Sequence, residues 1–153
     1  MNYLTTFFIS VLITSYNPNK KIPEKMPSDF KIEYNYDGGM VDMHHNIILQ
    51  LGDCRDKGKE YDGPDFDYAW KNDAQNEFEN LYAELYKINA FTIPYVSKGP
   101  PKDRGGTSLL FRIDGKEYKV NDSQGDFINP EYSSVFSKVV ELIQMFTNKY
   151  HNK

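Results

Sequence analysis

The chain has a single cysteine, Cys54, among its 153 residues. One thiol forms no internal disulfide and supplies no cysteine-based zinc cluster. Charge of one sign never accumulates: 18 lysines and arginines stand against 22 aspartates and glutamates, a net charge of −4. Nucleic-acid binding leaves a basic footprint, and none is visible, so nucleic acid is not an expected partner. No serine sits in a nucleophile-elbow motif, and the glutamates show no paired pattern for acid–base work. No cofactor signature is present, and the expected cofactor set is empty.

Charge is missing altogether from residues 3–16, YLTTFFISVLITSY. The stretch is short for a membrane-spanning helix and suits the apolar region of a signal peptide. Met1-Asn2 offers only the terminal amine as positive charge ahead of it. The sequence Ile13-Thr14-Ser15-Tyr16 has the outline of a lipoprotein signal, with tyrosine where the lipid-bearing cysteine would stand. Residues 17–27, NPNKKIPEKMP, hold three prolines and three lysines with no aromatic side chain, the composition of a solvated tether. The expected organisation is a signal or anchor segment at 1–16, a tether at 17–27 and one domain at 28–153. The alternative is a cytosolic domain in which residues 3–16 pack into the fold.

What the chain does have is aromatic bulk, with twelve tyrosines and ten phenylalanines. Such residues fit a half-buried pleated surface, so substantial sheet is expected. FKIEYNY at 30–36 alternates as a half-buried strand, and Asp37-Gly38-Gly39 is a turn. A second strand is expected over 40–51, with His45 in its apolar set and His44 in its polar set. GDCRDKGKEYDGP at 52–64 reads as a polar, turn-rich loop, and 66–70 as a possible third strand. Asn72, with Gln75, is placed to cap a helix over 73–89, whose apolar stripe is Phe78, Leu81, Tyr82, Leu85 and Ile88. SKGPPKDRGG at 97–106 is a loop. Strands at 107–113 and 116–120 flank the hairpin turn Asp114-Gly115, in a register that sets Phe111 against Tyr118 and Arg112 against Glu117. Asn129-Pro130-Glu131 opens a second helix reaching about residue 149. The fold class is α+β: a mainly antiparallel sheet of hairpins with two amphipathic helices packed on one face.

The stretches DFKIEYNYDGGM, LYAELYKINAF and DRGGTSLLFRIDGKEYKV, with the C-terminal amphipathic helix, resemble small uncharacterised bacterial envelope proteins, often predicted lipoproteins. The resemblance covers roughly residues 28–149. It implies an envelope location, periplasmic or membrane-associated, and membrane proximity through the N-terminal segment only. It implies no established activity and no catalytic residue.

Several groups could carry chemistry. Asp42 and His44 share a strand face and could supply two metal ligands, with no third fixed by spacing. Asp62, Asp65 and Asp67 supply oxygens but do not match a calcium loop. Tyr61, Phe66, Tyr68 and Trp70 could form an aromatic surface for a sugar or a peptide, or belong to the core. Lys102, Asp103 and Arg104, in a loop followed by a strand, are the first choice for contact with a protein partner; a phosphate cradle would need a following helix. Cys54 as a nucleophile needs a base, and His44 or His45 are the candidates. The leading expectation is a non-enzymatic exported protein that binds a macromolecular partner, an inhibitor or immunity protein being one concrete form. The alternative is a small hydrolase or thiol enzyme using Cys54 and a nearby histidine.

Overall fold

The computed structural model describes residues 21–98 and 104–151. Strand β1, Lys31–Asp37, buries Ile32 and Tyr34 and turns Lys31, Glu33 and Asn35 to the other face, as its alternation requires. It pairs antiparallel with β2, His44–Gln50, on one side and with β6, Gly106–Ile113, on the other. Strand β3, Gly52–Lys59, continues outward from β2, and β4, Asp65–Asn72, forms that edge. Strand β7, Lys116–Asp122, forms the opposite edge, so the six-stranded order is β4-β3-β2-β1-β6-β7. A two-stranded ribbon of β5, Tyr95–Ser97, and β8, Asp126–Ile128, lies beside β7. Helix α1 spans Gln75–Lys87 and α2 spans Ser133–His151.

The fold is thus α+β with an antiparallel sheet. The inward faces of the strands and the apolar stripes of the helices make one aromatic-rich core. Phe30 packs on Phe78 of α1 at 5.2 Å between ring centres, Phe78 on Phe146 of α2 at 5.6 Å, and Phe91 edge-on to Phe111 of β6 at 5.0 Å. The outward face is polar, with the pairs Lys31–Glu33, Arg55–Asp67, Lys71–Asp53 and Arg112–Glu117 across it. The β6–β7 hairpin has the expected register, Phe111 opposite Tyr118 and Arg112 opposite Glu117.

Three local expectations are overturned. Residues 40–43 are turn, not strand: the amide of Gly38 donates to the Met43 carbonyl at 2.8 Å and β2 begins only at His44. Residues 52–59, expected as loop, are β3, because their alternation places Cys54, Asp56 and Gly58 inward, and an aspartate and a glycine hide the usual apolar period. Asn72 does not cap α1. It ends β4, buried, and its amide donates to the Gln50 carbonyl at 3.1 Å, while Ala74 stands at the helix start without a side-chain cap. Asn129 does accept from the Glu131 amide at 3.4 Å, opening a short 3-10 turn ahead of α2.

Part of the stretch whose composition reads as a tether is described, and it touches the domain. From residue 21 the chain lies on the domain: Ile22 and Met26 pack against the core, and the Tyr82 hydroxyl donates to the Pro23 carbonyl. The signal segment and residues 17–20 lie outside the described residues.

Candidate functional site

Antiparallel pairing lines up inward side chains in rows across the strands. One row runs Tyr36, His45, Gly58, Phe66 from β1 to β4. The next runs Tyr34, Ile47, Asp56, Tyr68. These rows lie where the core gives way to a cleft of about 550 Å³, with Gln144, Thr147 and Asn148 of α2 as its opposite wall. Met43 and Glu60, from the segments flanking β2 and β3, complete the lining. Gly58 matters here because it has no Cβ. One built at that position would sit 2.0 Å from the His44 carbonyl oxygen, so the residue lets β3 close on β2.

The cleft is chemically unlike the core beside it. Asp56 is only 4% exposed, a carboxylate on the inward face of a sheet. His45 stands between two carboxylates, its Nδ1 3.9 Å from Asp56 Oδ1 and its Nε2 3.1 Å from Glu60 Oε1. The first distance is too long for a hydrogen bond, and the second is within hydrogen-bonding range. The imidazole also meets Phe66 edge-on at 5.1 Å, and Phe66 stacks on Tyr68 at 5.5 Å with the rings 24° apart. Tyr68 is 55% exposed, so this aromatic pair is the lip of the cleft. At the floor, burial pushes the Tyr34 phenol up, against the opposing effect of its hydrogen bonds with Thr107 and Gln144. Burial favours the uncharged phenol. Thr147, the one hydroxyl-bearing aliphatic side chain in the lining, donates back to the Ile143 carbonyl at 2.9 Å. The arrangement can hold a ligand against the rings and polar side chains of the sheet on one side and Gln144, Thr147 and Asn148 of α2 on the other.

The residues singled out from sequence fall elsewhere, apart from His45, Phe66 and Tyr68. His44 is exposed, on the opposite face from His45. Asp42 is held by the Lys59 ammonium, whose hydrogen bond and charge lower the carboxyl below its ordinary value. No group of three His, Cys, Asp or Glu placed to hold a metal occurs among the described residues. Asp67 forms a forked pair with Arg55 on the outer face. Arg104 is engaged by the domain itself: its guanidinium donates to the Asp126 carbonyl at 3.0 Å and to Asp122 at 2.9 Å, and lies 4.3 Å from the centre of the Phe127 ring. Lys102 and Asp103 lie outside the described residues.

Cys54 is buried and donates to the Gln50 carbonyl at 3.1 Å. Burial pushes its thiol up, away from the thiolate a nucleophile needs. His45 pairs with Gly58, four residues further along β3, a separation of about 13 Å at the usual rise per strand residue. His44 points to the other face. The fold therefore does not assemble a dyad from Cys54 and either histidine.

Sequence reasoning missed Asp56, Glu60 and the α2 wall. The signal available was parity: once β3 is a strand, Asp56 shares a face with Cys54 and Gly58. No family model matches the chain, and no curated protein and no solved structure matches it either. Among the described residues, no helix is long and apolar enough to cross a membrane.

Proposed function

We propose that this chain is a non-catalytic binding protein of the bacterial cell envelope, and that the cleft between β1–β4 and α2 is where its protein partner docks. One observation carries the reading. Phe66 and Tyr68 project a stacked aromatic pair at the lip of a cleft of about 550 Å³. Aromatic side chains beside a pocket are the usual anchors of a protein contact. The uncharged stretch at 3–16 supports export, and the resemblance to envelope proteins points the same way.

The test is site-specific photocrosslinking in the source cells, with a photoreactive phenylalanine at position 68 or at position 119, which is exposed on the outer face of β7. The expected outcome is a discrete adduct from position 68 and none from 119, in the envelope fraction. Equal labelling from both positions would overturn the docking site, and recovery in the soluble cytoplasmic fraction would overturn the location.

A further inference from the structure

We propose that the domain pairs with a second copy of itself along the edge of β4, strand to antiparallel strand about an axis at Tyr68, so that two six-stranded sheets become one. The inference concerns the edge of the sheet and stands apart from the docking reading of the cleft.

The fold treats the two ends of the sheet differently. At one end the β5–β8 ribbon lies beside β7. At the other, among the described residues, β4 pairs with β3 alone. Strand β4 is eight residues long, DFDYAWKN, without glycine or proline. Its register with β3 runs unbroken from Asp65 opposite Lys59 to Asn72 opposite Gly52. Shortness, proline and bulges are the usual means of keeping an edge from adding a strand, and β4 has none of them. Charged side chains are another guard, and β4 carries Asp65, Asp67 and Lys71, all exposed and all on the outer face. Their order along the strand decides which pairing they admit.

A two-fold axis normal to the sheet sets β4 against itself antiparallel and keeps every side chain on its own face. With the axis at Tyr68, Asp65 stands opposite Lys71 of the second copy, and Lys71 opposite its Asp65. On the inner face Phe66 stands opposite Trp70 in both directions, and Tyr68 opposite Tyr68. Each neighbouring register sets an aspartate against an aspartate. An axis at Phe66 puts Asp65 opposite Asp67, and one at Asp67 puts that residue opposite itself. An axis at Ala69 puts Asp65 opposite Asp73, and one at Trp70 puts Asp67 opposite Asp73. Opposite charges and aromatic pairs facing across strands stabilise, and like charges directly opposite destabilise. The sequence of β4 therefore complements itself in one register and repels itself in those on either side.

The side chains are placed to take part. Lys71 pairs with Asp53 of its own copy, and both are exposed, so that pair holds little energy. An ammonium has three donors and can take Asp65 of the second copy as well. Asp67 is engaged by Arg55, and in this register it meets only Ala69.

The experiment is sedimentation velocity on the full chain over a concentration series up to millimolar. The expected result is a monomer–dimer equilibrium. Asp65→Lys alone, or Lys71→Asp alone, sets like charges opposite each other twice and should weaken the dimer by about tenfold or more. Mixed in equal amounts, the two variants carry complementary edges and should regain the wild-type association. A wild-type chain that stays monomeric throughout would overturn the proposal, as would swaps that leave association unchanged. Disulfide trapping fixes the register, because residues directly opposite on antiparallel strands lie within reach of a disulfide. Asp65→Cys combined with Lys71→Cys should give a covalent dimer on oxidation. Asp65→Cys alone should not, its two thiols being six residues apart, about 20 Å along the strand. A covalent dimer from Ala69→Cys alone would move the axis and overturn the register. The docking of a different protein in the cleft is read separately, by an adduct from position 68 whose mass is not twice that of the chain.

Discussion

Asp29 lies just before the first strand and ties the start of the domain to a turn 85 residues on. Its carboxylate accepts the Asp114 amide at 2.9 Å and the Gly115 amide at 2.6 Å. That turn needs both residues at positive φ, 52° and 73°, and the carboxylate satisfies the donors the turn leaves exposed. Burial pushes the Asp29 carboxyl up, and the two amides and Arg112 outweigh it, so the group sits below its ordinary 3.8. Asp29→Ala should lower stability at neutral pH by about 1–2 kcal/mol, read by urea unfolding. The sign with pH follows from the depressed value. The native carboxylate's contribution is full above the unfolded value of 3.8 and is lost as the pH falls below it through the folded-state pKa. The gap between wild type and variant should therefore close in acid; a gap that stays constant there would show that the charge plays no part.

At the scale of the element, β3 carries the most information. Gly58 stands between His45 and Phe66 in the cleft row, with no room for a Cβ against the His44 carbonyl. Gly58→Ala should cost about 1–3 kcal/mol by forcing β2 and β3 apart. Hydrogen-exchange protection should drop first at His45 and Phe66 while the β6–β7 hairpin keeps its own. Uniform loss across the sheet would instead show that the strand pair does not open on its own. The same strand marks the limit of sequence reading. The β6–β7 hairpin was legible because Asp114-Gly115 sets its turn and Leu109, Phe111 and Val120 keep an apolar period inward. Helix α1 was legible through Phe78, Leu81, Tyr82 and Leu85. Strand β3 was not, because its inward positions are Cys54, Asp56 and Gly58, and alternation in burial is invisible when inward residues are polar or lack a side chain. His45 was placed inward by parity, whereas the carboxylates beside it lay in a stretch that read as loop. A strand whose inward residues break the apolar rule is where this core stops and its cleft starts.

For the whole molecule, the question is where the domain begins. Composition puts the boundary at residue 28, because prolines and lysines crowd the segment before it. Packing puts it earlier. Ile22 and Met26 rest on the core, the Phe30 amide donates to the Pro27 carbonyl at 3.1 Å, and Tyr82, buried, donates its hydroxyl to the Pro23 carbonyl. Residues 21–27 thus cover part of the layer formed by α1 and the segment before β1. A chain beginning at residue 28 should be less stable than one beginning at residue 21 by about 2–4 kcal/mol, the transfer of two half-buried apolar side chains and one hydrogen bond. Tyr82 reports the same loss spectroscopically. Burial, then the neighbouring Tyr86 and Tyr118, push its phenol up to about 12. In the shorter chain the ring edge meets water and its titration should move back toward the ordinary 10.0. The elevated native value has a cost in alkali. The longer chain's advantage is complete below 10.0 and narrows as the pH rises from there through about 12, because the unfolded phenol ionises first. If the two chains unfold at the same urea concentration and their tyrosines titrate alike, residues 21–27 are a tether after all.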